Sequence, residues 1–540
     1  MTKSAISFFL IKATTIASLG GILFGYDLGA VSSALPQIAD AFALSEREQE
    51  LVVSFIYVGG GFGAAVGGTV ADMAGRRKAI LITDVFFLIG AAILFWSTSL
   101  ATILLGRFVV GFAVALSAIA DVSYLYEISP SNWRGSFVSV NEACISFGFL
   151  VAYIVGYGIT LSDPVDGWRS TFGVSSFGAM LQFIGMTMMP ESPVWLREQG
   201  RVTEADSVQM MINDGKGRPN SNTRWNAVDG LVPTGQDTIV TSYASIRERK
   251  PTSAKREIFS SVPTPALSSE EAKITGSIML SLKRNFSTNL VKQHYRQISI
   301  AIFLAVAQQM CGQTNILNFA PKICTEVGLS STTSMLGVSV LVGTLKFFTT
   351  CIVLWRIEYL GRRYLLLGGI CTMAISNLML ASALYRDGDS SESIGTVRAS
   401  IALLGMLGIT VGYAASFAPL TWLIISELFH TKVRGRALGA ATIITYLSAA
   451  LVSVTFLSVQ ARWGSAVPFL AYFLVTVLSV AFAYLAIPDT GGKDPDQINS
   501  EISSYKWWRW RDGEVSLFGG GGGQASMGTE FVSIDGHTSV

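Results

Sequence analysis

Twelve runs of about 20 largely apolar residues dominate this chain, and they commit it to a lipid bilayer. A helix rising about 1.5 Å per residue needs about 20 such residues to cross a hydrocarbon core of about 30 Å. The runs lie near 13–33, 51–72, 79–97, 101–125, 137–159 and 170–190, and again near 297–321, 333–355, 364–385, 399–425, 437–459 and 466–487. Within lipid each segment must satisfy its own backbone, so the expected fold class is an all-α membrane protein with 12 transmembrane helices. Half of the 540 residues are apolar, 14% are charged and the mean hydropathy is +0.48. A soluble chain of this length needs more charge to cover its surface. The first run lacks a clear small-residue cleavage site and reads as a spanning helix rather than a removed signal.

The spacing of the runs divides the chain into a six-helix bundle at 1–190, a polar central loop at 191–296, a second six-helix bundle at 297–487 and a polar tail at 488–540. The loop and tail, rich in Ser, Thr, Pro and, at 519–523, Gly, are expected to be partly disordered with a few short helices. Basic residues mark alternate connections: Arg76, Arg77, Lys78 and Arg134 in the first half, Arg362, Arg363, Lys432, Arg434 and Arg436 in the second. The other connections carry mainly acids, among them Asp40, Glu46, Glu48, Glu50, Asp163 and Asp166. By the positive-inside rule both termini and the central loop face the cytoplasm, and the plasma membrane is the expected location. A formal net charge of +2 offers nothing to nucleic acid. The five cysteines have neither metal-ligand spacing nor a disulfide pattern. With three histidines, no phosphate-binding Gly-Lys loop and no nucleophile constellation, neither an enzyme nor a cofactor is expected.

The halves repeat each other. Gly75-Arg76-Arg77 returns as Gly361-Arg362-Arg363, Glu127 with Arg134-Gly135 as Glu427 with Arg434-Gly435, and Pro190-Glu191-Ser192 as Pro488-Asp489-Thr490. The offsets are 286, 300 and 298 residues, too nearly constant for coincidence. Parallel duplication of six-helix units places a site between the halves near mid-membrane. The paired acids and arginines are expected to form a cytoplasmic gate of ion pairs reaching across the seam, which holds the inner side shut and breaks when that side opens; simple positive-inside anchoring accounts for the arginines but not for the matched acids.

Charges within spans single out Asp27, Arg107, Glu142 and Lys346, since an unpaired intramembrane charge costs at least about 2.5–3.5 kcal/mol. Asp27 paired with Arg107 is expected to act as a protonation switch. In the seventh span, Gln308, Gln309, Thr314, Asn315 and Asn318 crowd into three turns. Amides that donate and accept, near the aromatic Trp422, suit a neutral polyhydroxylated ligand, although interhelical amide bonding is the plainer reading.

The chain resembles the sugar-porter family of the major facilitator superfamily along nearly all of 13–498. The matching segments include GGILFGYDLG (20–29), DMAGRR (72–77), GRFVVG (106–111), YLYEISPSNWRG (124–135), PESPVWL (190–196), QQMCGQTN (308–315), EYLGRR (358–363), PLTWLIISELF (419–429) and PDTGG (488–492). Asn141-Glu142, Lys346, the GQTN spacing and PLTW look most like the third class of animal glucose-transporter proteins. The resemblance implies the major facilitator fold and transport of a monosaccharide by alternating access. It also implies sugar contacts at Glu142, Gln308, Gln309, Thr314 or Asn315, and Trp422, and proton symport through Asp27 and Arg107. Val122, Asn318, Phe319, Thr445, Tyr446 and Ala449 depart from the family pattern near the expected pocket, which bears on the choice of sugar. A transporter-like sugar sensor and a carrier of a polyol such as inositol remain as alternatives.

Overall fold

Two inverted-V turns built on glycine set the geometry of both halves. A computed structural model of the protein describes residues 7–130, 134–213, 294–329, 331–385, 392–429, 431–490, 493 and 495–505. Helix α1 (Phe8–Ala17) runs almost directly into α2 (Leu19–Phe42), followed by α3 (Glu46–Ala74), α4 (Arg76–Phe95), α5 (Leu100–Ile128), α6 (Arg134–Ser162) and α7 (Gly167–Thr187). The second half holds α10 (Tyr295–Gln309), α11 (Gln313–Glu326), α12 (Thr332–Leu360), α13 (Arg362–Leu384), α14 (Glu392–Ala415), α15 (Phe417–Leu428), α16 (Thr431–Trp463) and α17 (Val467–Ala486). Gly75 (φ 94°) and Gly361 (φ 78°) lie alone between α3 and α4 and between α12 and α13, in a region that side-chain-bearing residues avoid. The two arginine turns are therefore single-residue reversals that bring each arginine onto the first turn of the next helix.

Short helices α8 (Pro193–Glu198) and α9 (Val202–Ile212) follow the first bundle, and α18 (Pro495–Ser504) docks Ile498 and Ile502, both fully buried, beneath the second. Most of the central segment, 214–293, and the tail beyond 505 lie outside the described residues.

Among the described residues, eleven spans are long and apolar enough to cross a membrane; two of the breaks, between α10 and α11 and between α14 and α15, fall within single spans. The run at 170–190 is not among them because Ser, Thr, Gly and Gln dilute its hydropathy. It nonetheless forms the full-length helix α7, packed on α4, α2 and α6, with Phe177, Met180, Leu181 and Ile184 turned outward as a lipid-facing strip. Close crossings rest on small residues: a Cβ on Gly59 would lie 2.0 Å from the Phe108 carbonyl oxygen, and one on Gly111 would lie 1.9 Å from that of Ile56, so α3 and α5 meet backbone to backbone.

The halves meet along three seams: α3 with α16, α6 with α12 and α2 with α11. The closure is one-sided. At the end away from the arginine turns, Glu50 of α3 accepts hydrogen bonds from the Ser458 N–H and hydroxyl of α16, both 2.6 Å, and Lys322 of α11 reaches Glu46 at 3.6 Å and Gln49 at 3.5 Å. At mid-depth Tyr446 packs on Gly60. Nearer the arginine turns on the same face of α16, a Cβ on Gly439 or Gly435 would meet nothing within 4 Å. The molecule is closed on one side and parted on the arginine-rich side.

Candidate functional site

A break in the seventh span builds the centre of the site. Gly312 (φ 93°) separates α10 from α11, and Asn377 of α13 caps the free Cys311 carbonyl at 3.1 Å while the Tyr472 ring fills the space beside the glycine. A continuous helix would place Gln308, Asn315 and Asn318 on one face; the break redirects them. Gln308 Nε2 donates to the Tyr413 hydroxyl at 3.1 Å, and its Oε1 is buried without a partner. Thr314 Oγ1 donates to Gln309 Oε1 at 2.7 Å. Asn318 crosses to the other half and donates to the Tyr57 hydroxyl at 2.9 Å. Asn315 instead points into the second bundle, donating to the Tyr472 hydroxyl at 2.6 Å and the Val452 carbonyl at 3.3 Å.

Around these amides stand tyrosines that the sequence pattern does not mark. Tyr57, Tyr153, Tyr413 and Tyr446 come from α3, α6, α14 and α16, all at least nine-tenths buried except the partly buried Tyr413, and Tyr153 donates to the Leu317 carbonyl at 2.9 Å. Tyr446 stands among the positions that depart from the family pattern; Tyr57, Tyr153 and Tyr413 are ordinary members of apolar runs in the sequence, so only the fold collects them. Trp422 of α15 lies partly buried against the same core.

The α6–α12 seam carries charge. Lys346 is 2% exposed; its Nζ donates to Ser146 of the other half at 3.3 Å and lies 4.3 Å from the Phe149 ring centroid, with Glu142 as the acid facing it across the seam. Ser146 also meets Thr350 at 3.1 Å. The pair thus joins two intramembrane charges that stand apart in sequence.

Asp27 and Arg107 are neighbours, though not through the expected carboxylate–guanidinium pair. Arg107 Nη1 donates to the main-chain carbonyl of Asp27 at 3.0 Å and Nε to that of Val52 at 3.2 Å, with the guanidinium 5.7 Å from the Phe172 ring centroid. Asp27 Oδ2 and Arg107 Nη2 are both buried without partners. The backbone carbonyls hold the arginine whether or not the acid is charged.

On the arginine-rich side the ion pairs stay within each half. Arg76 meets Glu127 at 2.9 Å and Asp72 at 3.3 Å, and Ser192 donates to Glu127. Arg77 donates to the Met186 and Thr187 carbonyls, at 3.0 and 2.6 Å, while its N–H donates to Glu191 at 2.9 Å. The second half repeats this: Arg362 pairs with Glu427, and Arg363 donates to the Tyr484 carbonyl at 2.6 Å and the Tyr505 hydroxyl at 3.0 Å. Arg434 donates to the Phe429 carbonyl at 3.4 Å; the side chain of Arg134 lies outside the described residues. Among the described residues no ion pair crosses the seam on this side, where the halves are parted; the expected ring belongs to the state that is shut on this side.

The profile of the family described as "Sugar (and other) transporter" matches residues 13–227 and 242–501. The chain is 30% identical to D-xylose-proton symporter-like 2 of Arabidopsis thaliana over 491 residues, covering 90% of this chain and 89% of that one. It is 29% identical to the probable metabolite transport protein CsbC of Bacillus subtilis (strain 168) over 485 residues, covering 90% and 93%. Among solved structures it is similar in fold to the xylose transporter XylE of E. coli in a partially occluded inward-open conformation, with a TM-score of 0.68 at 24% identity, over 90% of this chain and 100% of that one. The duplicated bundles, broken seventh and tenth spans and matched arginine turns are thus the architecture of a major facilitator protein, and the chain belongs to the sugar (and other) transporter family.

Proposed function

We propose that the protein carries a neutral monosaccharide, a hexose in the first place, across a membrane by alternating access, with proton symport through Asp27. The observation that carries this reading is the polar cluster at the joint of the two halves. Asn318 of one half meets Tyr57 of the other and Tyr153 of the other meets the Leu317 carbonyl, while Gln308 on Tyr413 and Thr314 on Gln309 stand beside them, beneath a closed seam and above a parted one. Hydroxyl and amide groups that both donate and accept match the alternating donors and acceptors of a sugar, and no net charge in the cluster selects an ion. Glu142 and Trp422 complete the contact set in this reading. Relatives named as a D-xylose-proton symporter-like protein of Arabidopsis thaliana and an arabinose-proton symporter of Escherichia coli support the substrate class and the coupling ion.

In this account the arginine-rich side faces the cytoplasm of the plasma membrane, and the structure is the inward-open state. Neutralising Asp27 frees Arg107 from its charge while the Asp27 and Val52 carbonyls keep it in place. When the arginine-rich side closes, Arg76, Arg77, Arg134, Arg362, Arg363 and Arg434 exchange partners with Glu127 and Glu427 across the seam. Uptake of labelled hexoses, pentoses and inositol into cells lacking their own hexose carriers tests the reading. Saturable hexose uptake is expected; sugar binding at the cell surface without uptake indicates a sensor, and preference for inositol replaces the substrate.

A further inference from the structure

The first bundle buries a second pair of acids that the transport reading leaves unused. Asp84 of α4 is 0% exposed and Asp121 of α5 is 1% exposed, within electrostatic reach of each other. Asp121 accepts from the Ser117 hydroxyl and, at 3.4 Å, from Gln182 Nε2 of α7. Both oxygens of Asp84 are buried without a partner, as is Gln182 Oε1 on the amide that touches Asp121. The α2 backbone closes the site: a Cβ on Gly20 would lie 1.9 Å from Asp121 Oδ2. Gln182 Nε2 also caps the Ala17 carbonyl, at 3.3 Å, where α1 gives way to α2.

No Lys, Arg or His among the described residues lies within ion-pair distance of either carboxylate. Charged and titratable groups on the surrounding elements turn elsewhere. On α4, Arg76 and Arg77 serve the membrane surface, Arg76 together with Asp72 at the end of α3. On α5, the Tyr124 hydroxyl donates to Pro190, and Arg107 lies about four turns away. Lys12 of α1 is exposed, Arg169 sits at the far end of α7, and Cys144 and Glu142 of α6 face Ser18 and Lys346. Tyr26 of α2 donates to Thr171. Two like charges in a site without a cation repel each other in a medium of low dielectric, and one proton bound to either of them removes the repulsion. A metal ion fits less well, because the Ser117 hydroxyl and the Gln182 amino group already point as donors, leaving too few oxygens for a hard cation.

We propose that Asp84 and Asp121 form a second proton-binding site in the first bundle, separate from Asp27 and Arg107. Gly20 and Asp27 are seven residues apart on α2, as are Ser175, beside Asp27, and Gln182 on α7. Both spacings put Asp121, which Gly20 and Gln182 touch, two turns, about 10 Å, from Asp27 toward the arginine-rich side, along the same helix faces. The pair is thus the next buried acid between Asp27 and that side.

Infrared spectroscopy of the full-length protein in liposomes, with carboxyl-13C-labelled aspartate, reads protonated aspartate directly. At pH about 6 exposed aspartates, with ordinary values near about 3.9, are ionised. An isotope-sensitive protonated-carboxyl band is expected in wild type and in Asp27→Asn, and is lost when Asp84→Asn, which is isosteric, is added to Asp27→Asn. Absence of such a band in Asp27→Asn overturns the proposal without requiring a pair variant to fold. So does its persistence when Asp84→Asn and Asp121→Asn are each added to Asp27→Asn, or its displacement when Na⁺ replaces choline at fixed pH. Hexose uptake is a separate readout: its failure with the band intact removes the substrate reading and leaves the acid pair.

Discussion

Glu50 and Ser458, 408 residues apart and in opposite halves, are joined by two hydrogen bonds of 2.6 Å through both carboxylate oxygens. Glu50 is fully buried, so the bonds close one end of the seam and exist only while that end is shut. Removing the acid deletes both bonds to the exposed Ser458, a loss of about 1–3 kcal/mol for two hydrogen bonds, borne by one conformation alone. We expect Glu50→Ala to shift the population roughly 5–150-fold toward the state open at that end. In a cysteine-free background, a cysteine at Gly439 should then label more slowly. Unchanged labelling places the latch elsewhere.

The arginine-side pairs are internal to each half in this state, and a double-mutant cycle measures that. Arg76 and Glu127, each with 11% side-chain exposure, should show a coupling of about 0.5–3 kcal/mol in thermal unfolding, whereas Arg76 and Glu427 should add within about 0.5 kcal/mol. Coupling of the second pair as strong as the first would mean that the seam is bridged in the resting state.

Arg107 is held by main-chain carbonyls rather than by the Asp27 carboxylate. Asp27→Asn should therefore leave the fold and equilibrium counterflow of labelled sugar intact while abolishing accumulation against a gradient. Undiminished accumulation removes Asp27 from coupling.

The amides of the seventh span separate into two kinds. Gln309, bonded to Thr314 beside the break, should matter to ligand: Gln309→Ala is expected to raise the sugar Kd by about 5–150-fold, for a loss of about 1–3 kcal/mol, with little change in melting temperature. Asn315→Ala should do the reverse, because its bonds to Tyr472 and Val452 lie inside the second bundle. Calorimetry alongside thermal melts decides between them.

Much of this was legible in the chain because the bilayer admits few solutions. Hydropathy located the spans, and the repeated arginine turns announced the duplication. The turn of Asn315 into the second bundle is not legible in the amide-rich run, because it depends on Gly312, whose positive φ breaks the helix. The tyrosines at 57, 153 and 413 are indistinguishable by pattern from core aromatics, and pairing of partners between halves is a tertiary fact. Asp84 and Asp121 are as buried as Asp27, yet only the fold brings them within electrostatic reach of each other. Which side stands open cannot be written in the sequence at all, since one sequence serves every state of the cycle; the Glu50–Ser458 closure and the open faces of Gly435 and Gly439 decide it here.

The central claim is tested most directly by purified protein in proteoliposomes given labelled glucose and an imposed proton gradient. The account predicts accumulation above equilibrium that collapses to equilibration when a proton ionophore is added, and weakened uptake in Gln309→Ala. Absence of both accumulation and counterflow for every hexose tried, from protein that is folded and inserted, would contradict it.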